Sequence, residues 1–195
     1  MKSCFRRLAA IAALALSAAV PAHATVVFSD NFDANAKGLN FVPAGWSVSA
    51  GTVDVIGPDY FDLMPGSGNY IDLDGSTGQA GVLSKTFTGL ANGLYQVTFD
   101  LAGNHRSGND TVVVGFGGTN QTVNLGINQG WTTLSMLATV TNGTLTLSFD
   151  DLGADNMGAL LDRVSISAVP EPGTPTMLLA GLAVLGGVLR RRRSD

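Results

Sequence analysis

Between residues 25 and 169 apolar and polar side chains alternate in short runs. In Leu94-Tyr95-Gln96-Val97-Thr98-Phe99-Asp100-Leu101, Tyr95, Val97, Phe99 and Leu101 share one face while Gln96, Thr98 and Asp100 share the other. A period of two describes a strand with one face buried. Thr144-Leu145-Thr146-Leu147-Ser148-Phe149-Asp150 repeats it, with Leu145, Leu147 and Phe149 inward. Further strands are expected at 52–56, 69–73, 81–88, 111–116, 121–125, 131–140 and 160–168, most of them separated by Gly or Asn. No helical periodicity interrupts them, so the crossovers that parallel strands need are absent. The expected fold is all-β, an antiparallel β-sandwich.

The two ends break this pattern. Lys2, Arg6 and Arg7 precede an apolar run from Leu8 to Val20 and an Ala22-His23-Ala24 triplet, the order of a secretory signal peptide over 1–24. A mature chain would then start at Thr25. At the other end, Val169-Pro170-Glu171-Pro172 stands before thirteen mostly apolar residues, Met177 to Leu189, which run into Arg190, Arg191, Arg192 and Arg193. Thirteen helical residues span about 20 Å, whereas a bilayer core of about 30 Å asks for roughly 20 residues. The expected apolar helix is therefore a short, transient inner-membrane anchor, with the arginines as a stop on the cytoplasmic side. Pro170 and Pro172 make the preceding segment extended and accessible.

These features, in this order, resemble the PEP-CTERM sorting arrangement of Gram-negative bacteria over residues 169–195. The resemblance implies signal peptidase and an exosortase as export partners, with Pro170, Glu171 and Pro172 as the processing motif, and release to the cell surface or extracellular matrix.

Composition then bounds the body. Cys4 is the only cysteine and lies in the leader, so the mature chain has neither a disulfide nor a thiol. Between Thr25 and Val169, thirteen aspartates against Lys37, Lys85, Arg106 and Arg163 leave a net charge of −9, although the whole chain carries only −4. An acidic body argues against nucleic acid as a partner. It favours solubility and permits calcium.

The wording of the body carries a second resemblance, spanning nearly all of a single domain at 25–168. Phe32-Asp33, Ala44-Gly45-Trp46-Ser47-Val48, Tyr70-Ile71-Asp72-Leu73-Asp74-Gly75, Gly93-Leu94-Tyr95, Phe99-Asp100-Leu101-Ala102-Gly103-Asn104, Gly130-Trp131 and Leu161-Asp162-Arg163-Val164-Ser165-Ile166 follow one another as in galactose-binding-like jelly rolls of plant wall proteins and bacterial choice-of-anchor surface proteins. The opening departs from that family, with Ser29-Asp30-Asn31-Phe32-Asp33 in place of Asn-Gly-x-Phe-Glu, and the paired cysteines of the plant members are missing. The resemblance implies a jelly roll related to carbohydrate-binding modules. It also implies a structural calcium, which carried over by position would be held by Asp33 and Asp162.

Little points to catalysis. His105 is the only histidine of the mature body, no G-x-S-x-G elbow is present, and the single glutamate is Glu171 in the tail; an enzyme is not expected. Sugars instead want an aromatic platform beside amide or charged hydrogen-bonding groups. Tyr60 and Phe61, in a Gly- and Pro-rich loop, supply the platform, and His105, Arg106 and Asn109 are expected to line the same end. Trp46 and Trp131 read as core. Asp72-Leu73-Asp74-Gly75 begins like an EF-hand loop but lacks the third ligand and closing glutamate, and reads as a turn. The function expected is an exported protein that associates with extracellular polysaccharide or cell-wall glycan, set against a structural matrix protein without a defined ligand.

Overall fold

The computed structural model describes residues 24–170 and 181. The predicted signal peptide up to His23, the apolar helix at 177–189 apart from Gly181, Glu171, Pro172 and Arg190 to Arg193 lie outside the described residues. Residues Thr25–Val169 form one compact unit of eleven strands. In chain order these are β1 (Thr25–Asp30), β2 (Ser47–Val48), β3 (Asp54–Ile56), β4 (Tyr70–Asp72), β5 (Val82–Thr88), β6 (Gly93–Ala102), β7 (Asp110–Phe116), β8 (Thr119–Leu125), β9 (Thr132–Val140), β10 (Thr144–Asp151) and β11 (Leu160–Ala168). Nine match the expected runs; β1 and β2 are additions.

The strands form two antiparallel sheets. One runs β3-β4-β11-β6-β9, with β1 also paired to β11, and the other runs β2-β5-β10-β7-β8. Alternation along each strand sends one set of side chains between the sheets. Val97, Phe99 and Leu101 from β6 meet Val112, Val114 and Phe116 from β7 and Leu145, Leu147 and Phe149 from β10, all but fully buried. Phe99 and Phe149 meet edge to face at 5.2 Å across the sandwich. Each such side chain contributes about 2 kcal/mol by leaving water. Trp46 joins this core, its indole N–H donating to Asp30 Oδ2 at 2.8 Å. Gly117 and Gly118, with φ of 59° and 87°, close the β7–β8 hairpin where both central residues must be left-handed.

Strand β11 changes neighbours partway along. Leu160 and Leu161 pair with β4, whereas Val164 to Ala168 pair with β1 on the same edge. Its pairing with β6 slips between Asp162 and Ser165, and Arg163 there has φ 48°. A bulge at this point lets one strand serve two partners in turn.

The outer face of the β3-β4-β11-β6-β9 sheet carries a second apolar cluster. Ile56, Tyr70, Ala102 and Leu160 are buried beneath Tyr60, Leu63, Met64 and Trp131. Trp131 therefore packs under the 57–69 segment instead of between the sheets, and its indole N–H donates to Ser67 Oγ at 2.8 Å. Tyr70 fixes this cover. Its hydroxyl accepts the backbone N–H groups of Leu63 and Met64 and donates to Asp62 Oδ1 at 3.0 Å. Burial, first of all, raises the Tyr70 pKa far above the ordinary phenol value, so the hydroxyl stays a donor.

Candidate functional site

A cavity of about 300 Å³ opens where several loops gather at the free end of β3 and β4. Leu39, Ile56, Phe61 and Leu63 give it apolar walls, and Asp54, Asp72, Ser76, Arg106 and Asn156 give it polar ones. Phe61 is 62% exposed with φ 50°. An aromatic side chain gains nothing by burial there, and a bulky residue in the left-handed region is an outlier that the surrounding loop must impose. Tyr60 buttresses it edge to face at 5.0 Å.

The polar wall is built on two strands. Antiparallel pairing sets Asp54 directly opposite Asp72. Asp54 accepts the N–H of Asn40 at 2.7 Å and the hydroxyl of Ser76 at 2.7 Å. Asp72 Oδ1 accepts the N–H groups of Asp74 and Gly158, and its Oδ2 takes the Arg106 guanidinium. Burial pushes the Asp72 carboxyl up to about 8, against the pull of Arg106, and Asp54 adds to the rise. Arg106 is thus aimed by the buried Asp72 carboxyl group, and its side chain keeps 29% of its surface open.

Backbone strain concentrates around this cavity. Among the described residues, seven non-glycines have positive φ. Five of them, Asn40, Asp59, Phe61, His105 and Asn156, line the cavity or lie within two residues of a lining side chain. The other two, Phe32 and Arg163, adjoin Asp33 and Asp162. Residues held in sparsely populated conformations gather at functional sites, because only an over-determined surrounding keeps them there.

The expected site residues part company here. Phe61 and Arg106 meet in the cavity, and Tyr60 stands behind Phe61. His105 does not line it: its backbone N–H bonds Ile127 O, and its Nε2 is buried with no partner. Asn109 is likewise occupied, accepting the Ile127 N–H at 3.1 Å. Asp72 belongs to a strand and a wall of the cavity, not to a turn; Leu39, Asp54, Ser76 and Asn156 are the lining groups that sequence reading passes over.

At the other end of the bulge, Asp162 is buried and stands opposite Asp100. Burial raises it to about 6, helped by the charges of Asp33 and Asp100 and opposed by Arg163. Asp33 itself is exposed; its Oδ1 accepts the Asn69 N–H at 2.7 Å and sits where a side chain on Gly68 would have to go. These carboxylates offer the hard oxygen donors calcium takes. The geometry is less accommodating. Arg163 Nε lies 2.9 Å from Asp100 and 3.5 Å from Asp162, and among the described residues no three acidic or histidine side chains enclose a metal-sized space. Asp33 and Asp162 carry the oxygen donors that calcium takes, while Arg163, 55% exposed, already lies against Asp100 and Asp162 as a countercharge.

Comparison with known proteins agrees with the sandwich. The fold is similar to that of the CBM22-1–CBM22-2 tandem from Paenibacillus barcinonensis Xyn10C, at 16% identity and TM-score 0.53 over 80% of this chain and 48% of that one. The single CBM22-1 xylan-binding domain of the same enzyme aligns at 13% identity and TM-score 0.51, over 78% of this chain and 99% of that one. A CBM35 from Paenibacillus barcinonensis aligns more loosely, at 17% identity and TM-score 0.43, over 69% of this chain and all of that one. The fold class is thus that of carbohydrate-binding-module jelly rolls. Glycoside hydrolase chains are similar over a small part of their length. Residues 168–193 match the PEP-CTERM protein-sorting motif, which implies export. None of the curated proteins matches the chain.

Proposed function

We propose that the protein is an exported, exosortase-processed surface or matrix protein whose jelly roll binds extracellular glycan in the Phe61–Arg106 cavity. The observation that carries the reading is Phe61: an exposed aromatic ring, held at a positive φ, lining one cavity with an arginine fixed by the buried Asp72 carboxyl group. A sugar ring offers an apolar C–H face to stack on Phe61 and hydroxyl oxygens to accept from Arg106. The sugar-binding folds to which the sandwich is similar favour the same reading.

Binding is preferred over hydrolysis on chemical grounds. Glycosidases need one carboxyl free to donate a proton and another free to act as base or nucleophile. Both candidates in the cavity are committed, Asp54 to Asn40 and Ser76, Asp72 to Arg106 and two backbone N–H groups. The Asp33–Asp162 calcium belongs to the same proposal as a structural ion tying the first segment to the last strand.

A glycan array probed with the purified chain tests the reading. Retention on at least one glycan, reduced in Phe61→Ala, is expected. No retention on any glycan would leave the purely structural role.

A further inference from the structure

A polysaccharide held along its length needs an open groove, and on a β-sandwich the outer face of a sheet is the natural floor for one. Here that floor is taken beside the cavity. The 57–69 segment lies over Ile56, Tyr70, Ala102 and Leu160, with Leu63 and Met64 pinned by the Tyr70 hydroxyl. A chain entering the cavity therefore cannot continue across β4 towards β11 and β6.

What stays open is small and walled by separate segments. Phe61 comes from the covering loop, Ser76 from the β4–β5 loop, Arg106 from the β6–β7 loop and Asn156 from the β10–β11 loop. The back is closed by Asp54 and Asp72, both nearly inaccessible and bonded to their neighbours. At about 300 Å³, the cavity lies at the low end of the range for small-molecule sites. A volume of this size suits a single sugar ring.

Resting on the glycan-binding reading, we propose that this cavity takes the terminal sugar residue of a glycan chain end-on, and not an internal stretch. Phe61 stacks on the terminal ring and Arg106 donates to its outermost oxygens, while the remainder of the chain leaves towards solvent. Capacity for a polysaccharide is then set by its number of ends and branches instead of its mass.

The test is isothermal titration of the purified chain with glucose, galactose, mannose and xylose ladders of one to five residues. The expected result is one ladder whose affinity changes by less than about threefold from disaccharide to pentasaccharide, with the free monosaccharide competing. Phe61→Ala should weaken every member of that ladder by the same factor. An affinity that climbs tenfold or more with length would overturn the end-on proposal and leave glycan binding standing. Silence on all four ladders also overturns it, and silence on the glycan array as well would remove the reading beneath it.

Discussion

Arg106 is held by Asp72, whose carboxyl group is 2% exposed and sits on a strand thirty-four positions earlier in the chain. The pair joins the β6–β7 loop to β4 and turns a flexible cation into a fixed part of the cavity wall. Because burial raises Asp72, as it raises Asp151 and Asp162 to about 6, the sandwich stores protons that the unfolded chain would release.

That storage sets the pH dependence. An acid whose pKa is raised on folding binds more protons in the native state between its ordinary value and its raised one, so stability falls as pH climbs through that window. For Asp151 and Asp162 the window runs from about 4 to about 6, and for Asp72 it extends to about 8. Melting scans in chelator are expected to give a midpoint several degrees higher at pH 5 than at pH 8. A midpoint that rises across that interval would contradict the burial of these groups as charged-state penalties.

Tyr70 makes a second test. Tyr70→Phe keeps the ring but strands the N–H groups of Leu63 and Met64 and the Asp62 carboxylate, at about 1–3 kcal/mol for the buried groups left unpaired. For a chain of this size that lowers the melting midpoint by roughly 3–10 °C. Hydrogen exchange should quicken across 57–69 before it quickens in β6 or β10, since the covering loop loses its anchor first.

Much of this architecture is legible in the chain, and what is not has a physical reason. β6 and β10 announce themselves because one face is core and the other polar. β1 does not, since Val26 and Val27 stay exposed and the strand is defined by its pairing with β11; β2 is only two residues long. In the cavity, Phe61 could be found because an aromatic residue in a Pro- and Gly-rich loop has no core to join, and Arg106 because a lone cation in an Asn- and Gly-rich loop stands out. Asp54 and Asp72 look like any outward-facing strand residues until the β3–β4 register sets them opposite each other. Asn156 arrives from a loop eighty-four positions beyond Asp72, a closeness that pattern cannot supply. His105 and Asn109 look identical in kind to binding residues, yet the Asn109 side chain is spent on the Ile127 N–H, and the His105 imidazole is turned away from the cavity with its Nε2 buried.

Calcium is the next measurement. An ion binding only the folded state adds about 2.7 kcal/mol at 100 times its Kd. The proposal expects a higher melting midpoint in calcium than in chelator, lost in Asp162→Asn and weakened in Asp33→Asn. Equal midpoints would mean that Arg163 alone supplies the countercharge to Asp100 and Asp162.

The tail is checked by intact-mass measurement on protein recovered from the surface of the native host. Loss of Met177 to Asp195 is expected, and replacing Pro170-Glu171-Pro172 with alanines should leave the tail attached. Wild-type protein carrying its complete tail at the surface would overturn the processing proposal.

Phe61 separates glycan binding from stability in a single side chain. Its ring is largely in water, so removing it should leave stability within about 0.5 kcal/mol of wild type while taking away the stacking surface. Titration of the purified wild type and of Phe61→Ala against the best array glycan, with Asn109→Ala as a control outside the cavity, separates the two roles. At least a tenfold weaker Kd is expected in Phe61→Ala at an unchanged melting midpoint, and an affinity in Asn109→Ala within about twofold of wild type. Equal affinity in wild type and Phe61→Ala would contradict glycan binding through Phe61.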